Sequence, residues 1–125
     1  MKEYIKELKT GEYRNILEFA MMFKGNLSTK IAALRIIEKI SICSSKGTVK
    51  SNEGKDLLPE IITVSFTKPE LDGYWHGLVD FVSDENNKVQ YLLLAKGICS
   101  VLGMTSRFSE LESTINIPDA DIPLD

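Results

Sequence analysis

DLLPEIITVSF, residues 56–66, admits two readings. As a helix, Asp56 caps it and Pro59 falls in the first turn, where no backbone donor is lost. Leu57, Leu58, Ile61, Ile62, Ser65 and Phe66 then share one face. As a strand, the β-branched run Ile61-Ile62-Thr63-Val64 is equally good. A lone strand has no ladder, and no neighbouring segment reads as its partner. The balance favours helix, and with it an all-α protein.

Downstream, Thr67-Lys68-Pro69-Glu70 is a capping box with Pro in the first turn. The helix it opens runs to about Val82, burying Leu71, Tyr74, Trp75, Leu78 and Val82. Ser83 or Asp84 caps a further helix through Leu102, and Phe108 and Leu111 mark a short last one. Upstream, residues 47–56 form the main polar loop. Ser28 caps a helix over 29–44 that is apolar on most sides, which predicts a central place in the core. Tyr13, Ile16, Leu17, Ala20 and Met21 stripe a helix over 12–24. Tyr4, Ile5 and Leu8 give a short helix over 2–9. The expected architecture is a compact bundle of about five to seven helices. It forms one domain over residues 1–112, with a loose acidic tail at 113–125.

An offset of 58 residues lays Leu17 on Trp75, Ala20 on Leu78, Phe23 on Phe81, Leu34 on Leu92 and Ile40 on Ile98. Residues 12–46 and 70–104 would then be two stacked antiparallel helical hairpins. Any two amphipathic hairpins of equal length also match at apolar positions, so convergent periodicity is the competing account.

Composition is ordinary for a globular domain: 43% hydrophobic and 26% charged over 125 residues. No apolar run approaches the ~18 residues of a membrane span. The start, Met1-Lys2-Glu3-Tyr4-Ile5, is not a secretory signal, so the expected compartment is the cytoplasm. Cys43 and Cys99 both sit in apolar helical patterns and read as free buried thiols.

Charge is uneven. Residues 1–60 hold eleven Lys/Arg against eight Asp/Glu, a balance of +3, and residues 61–125 hold four against ten, a balance of −6. An acidic half does not suit a nucleic-acid partner. Lys46, Lys50 and Lys55 are too few, and lack the aromatics, for such a site.

No phosphate loop, zinc motif or nucleophile elbow is present. One histidine cannot build a multi-histidine metal centre. No metal, cofactor or enzymatic activity is expected. Asp72, His76, Asp80 and Asp84 stand four apart and share one helix face. A general base at His76 would need a second convergent group, which the sequence does not offer. A solvated polar face explains the row without function. With Glu85 it could also form a negative stripe that steers a basic partner. Tyr74 and His76, bracketed by Gly73 and Gly77, are added as rim candidates.

The functional expectation is a small acidic binding protein that inhibits a basic protein partner by occlusion. Its purest case is a bacterial immunity protein that neutralises a toxin or nuclease domain. Its site would be Asp72, Tyr74, His76, Asp80, Asp84 and Glu85. The alternative is a helical adaptor or regulator acting as a homo-oligomer through apolar surface at Phe19–Phe23 or Phe108–Leu111.

Overall fold

The structure is a computed structural model that describes residues 2–84 and 88–115. The described chain is mixed α/β. Its elements are β1 (Glu3–Lys9), α1 (Thr10–Met22), α2 (Leu27–Gly47), β2 (Val49–Lys50), β3 (Asp56–Leu57), β4 (Ile61–Thr67), α3 (Lys68–Ser83), α4 (Lys88–Leu102) and α5 (Thr105–Ile115). The all-α bundle expected from the sequence is therefore corrected, chiefly at two places. Residues 3–9 are a strand, and so is most of 57–66.

These two strands are each other's partners. β1 and β4 run antiparallel, from Glu3 opposite Thr67 to Lys9 opposite Ile61. Ile62, Val64 and Phe66 alternate inward on β4 and are buried. On β1 the inward residues are Tyr4, Lys6 and Leu8, while Ile5 points outward and is 68% exposed. An inward lysine and an outward isoleucine erase the period-two pattern, so Tyr4, Ile5 and Leu8 imitate a helical turn. The outer edge of β4 is covered by α2: Lys39 Nζ donates to the Ser65 carbonyl at 2.8 Å. The long loop contains a second, two-residue pairing, with Val49 opposite Leu57 and Lys50 opposite Asp56.

Each long strand leads into a helical hairpin, so the repeating unit is strand–helix–helix. The offset of 58 maps β1 onto β4 residue for residue. At the ribbon's centre Lys6 faces Val64, and these two are themselves 58 apart. The helix starts match as well. Glu12 Oε1 accepts from Lys9 N at 2.8 Å, and Glu70 Oε1 accepts from Thr67 N at 2.9 Å. The ribbon thus has a local two-fold at its centre, and the order strand–helix–helix follows each of its strands.

The core lies between the ribbon and the four long helices. Leu8, Ile16, Ile36, Ile40, Phe66, Tyr74, Leu78, Val82 and Cys99 are fully buried. α2 packs chiefly on α3, and to a lesser and equal extent on α1 and β4. The α2–α3 crossing is close because Gly73 lies on Ala32, and one turn on Gly77 lies on the ring of Phe23, the residue that caps α1. A β-carbon at either glycine would collide, which explains two glycines inside one helix despite their cost of about 1 kcal/mol each. α2 is not central: one whole side of it faces water. α5 extends through Ile115, past the expected domain end at 112, and the rest of the acidic tail lies outside the described residues.

Candidate protein-binding face

The four-residue spacing on α3 does not produce one acidic stripe. Asp72 is neutralised by Lys68 Nζ at 2.8 Å and by the Arg107 guanidinium from α5 at 3.0 Å. The Lys68 hydrogen bond holds its carboxyl below the ordinary value against the opposing effect of burial, with Arg107 adding to it. Tyr74 is wholly buried, and its hydroxyl donates to the Ile16 carbonyl at 3.0 Å. It belongs to the α1–α3 contact and not to a surface, which corrects its place among the candidates. Burial pushes its hydroxyl well up, and the nearby Cys99 adds to this.

His76 and Asp80 are exposed and make no ion pair among the described residues. Asp80 sits beside the α1–α2 turn, its Oδ2 3.6 Å from where a β-carbon on Gly25 would stand. Asp84 is exposed and ends α3, its N–H donating to the Phe81 carbonyl at 3.4 Å. Glu85 lies outside the described residues. Asp72 and His76 line one shared recess, Asp80 stands at the turn, and Asp84 at the helix end.

That recess is a groove of about 700 Å³ between α2 and α3. It is lined by Ile31, Ala32, Arg35, Pro69, Gly73 and His76, among others. A second groove, of about 460 Å³, runs between α1 and α2, lined by Met21, Phe23, Lys30, Ala33, Leu34 and Ile37. Between them α2 presents a ridge: Leu27, Ile31 and Leu34 are 72%, 42% and 63% exposed. They stand at i, i+4 and i+7, so they share one helix face. Large apolar side chains gathered on one exposed face mark an interaction surface more often than scattered ones do.

The sequence reading missed this ridge by taking α2 as enclosed. A signal was present: Lys30, Arg35 and Glu38 are interleaved with Ile31 and Leu34, and charges of that density mark a solvent side. The two apolar clusters named for oligomerisation are largely internal. Phe19, Phe23 and Phe108 are buried, and of the apolar residues in those clusters only Met21 and Met22 are exposed.

The remaining chemistry-bearing groups are dispersed. Cys43 is half-buried with Sγ 3.5 Å from the Thr63 carbonyl, and burial pushes the Cys99 thiol up to about 12. Among the described residues no group of three or more His, Cys, Asp or Glu is placed to hold a metal ion. No described helix is long and apolar enough to cross a membrane. Comparison with family models, curated proteins and solved structures finds no match to this chain.

Proposed function

We propose that this chain is a protein-binding domain that acts by covering a protein surface, with the α2 ridge and its flanking grooves as the principal interface. The observation that carries this is the exposure of Leu27, Ile31 and Leu34 together between two recesses. Covering such a face releases water from apolar area, the main favourable term in association. Arg35, His76 and Asp80 at its margins supply register and partner choice.

A second reading is the toxin-neutralising inhibitor. It is favoured by the exposed Asp80, which makes no ion pair among the described residues, and by the −6 balance of residues 61–125. In that form Asp80 and Asp84, with Glu85, would face a basic partner, and the chain would work from the cytoplasm.

One comparison of variants separates the two. The tagged chain and its Leu34→Asp and Asp80→Asn/Asp84→Asn variants are purified from native cells across a salt series. Loss of the co-purifying protein with Leu34→Asp, and its retention with the double Asn variant, is the expected result. Retention with Leu34→Asp and salt-sensitive loss with the Asn variant would overturn the ridge in favour of the acidic side.

A further inference from the structure

Resting on that reading of the ridge, we infer that its occupant is a second copy of this chain, docked about a two-fold axis. The face is self-complementary in charge. Lys30, Leu34 and Glu38 form one i±4 row on α2, with Leu34 at its middle. A two-fold axis beside Leu34 lays two α2 helices antiparallel with their Leu34 rows side by side. Lys30 of each then meets Glu38 of the other. Both side chains are exposed, and neither makes an ion pair within its own chain among the described residues. A closed dimer needs this property, since the same patch must serve both sides.

Shape agrees with charge. Leu34 borders the α1–α2 groove and Ile31 the α2–α3 groove, so the face offers a ridge with a recess on either side. A second copy brings a ridge for the recess and a recess for the ridge. Interdigitated i±4 rows are the commonest way helices pack in globular proteins.

The internal repeat adds an independent observation. The 58-residue equivalent of Glu38 is Lys96 on α4, and Glu112 of α5 approaches Lys96 at 3.9 Å. In the second half another helix thus brings an acid to this position, while Glu38 is exposed and makes no ion pair among the described residues.

The test is sedimentation equilibrium on the full chain, its Lys30→Glu and Glu38→Lys variants, the two variants mixed, and the double variant. The wild type should approach twice 14.0 kDa as concentration rises. Each single variant sets like charges against each other at both ends of the row. It should raise the dimer dissociation constant about tenfold or more. Mixing them should restore the wild-type constant to within about threefold, because every charge again meets its opposite. The double variant should do the same alone, so a loss of fold in one single variant leaves the test intact. A wild type that stays at 14.0 kDa, or a mixture no tighter than the single variants, would overturn the homodimer. A monomeric wild type whose Leu34→Asp variant still loses a bound protein would overturn the second copy and leave the binding face standing.

Discussion

The Tyr74 hydroxyl donates to the Ile16 carbonyl at 3.0 Å, and the two residues stand 58 positions apart. Lys6 and Val64, which face each other in the ribbon, are separated by the same interval. Both pairs therefore join positions equivalent under the 58-residue offset, one where β1 meets β4 and one where α1 meets α3. Tyr74 is a fastener between the halves, which gives its position inside α3 a structural cause.

Tyr74→Phe removes that hydrogen bond and keeps the ring. The expected cost is about 1 kcal/mol, the usual net contribution of one neutral hydrogen bond. Because the side chain is buried, partner binding should be unchanged. Urea unfolding paired with a binding measurement checks this, and a binding defect at full stability would return Tyr74 to a surface role.

Gly73→Ala should destabilise, by about 1–3 kcal/mol, as overpacking generally does. The new methyl meets the Ala32 side chain at the α2–α3 crossing. Helix propensity alone would give the opposite sign, since Ala is the better helix former. A thermal midpoint that falls supports the close crossing, and one that rises contradicts it.

Glu70 of α3 joins three elements: its carboxylate accepts from Thr67 N at the end of β4 and pairs with Lys39 of α2 at 2.6 Å. Burial alone would push this carboxyl up. The Lys39 hydrogen bond, the Thr67 N–H and the Lys39 charge outweigh it and hold the group below its ordinary 4.5. In the folded chain it therefore takes up its proton at lower pH than in the unfolded chain. Its contribution is whole above about 4.5 and is lost as pH falls through the lower folded value. Glu70→Gln keeps an acceptor for Thr67 N but loses the charge, at an expected cost of about 1–2 kcal/mol at neutral pH. The difference from wild type should shrink as the pH of the unfolding measurement is lowered below 4.5.

The legible parts of the fold were those written in local chemistry. Thr67 and Glu70 announce their capping box in four residues, and the stripe Leu71, Tyr74, Leu78, Val82 identifies α3. The β1–β4 pairing is not local: its partners are 52 to 64 positions apart in the register. Lys6 inward and Ile5 outward removed the alternation that would have exposed β1. Without β1, the good strand pattern of Ile61–Phe66 had nothing to pair with. The acidic row on α3 was visible as spacing. Its disposition depends on Arg107, which folding brings from α5 onto Asp72. The bareness of α2 is likewise a tertiary fact, because it depends on which neighbours the helix meets.

The most direct test of the α2 ridge as interface is photocrosslinking in native cells. A photoreactive amino acid is placed at Leu34, and at Lys50 on the exposed hairpin as a control. One discrete adduct is expected from position 34, absent from position 50 and lost when Ile31→Asp is added. No adduct at 34, or equal adducts at both positions, would contradict the ridge as interface.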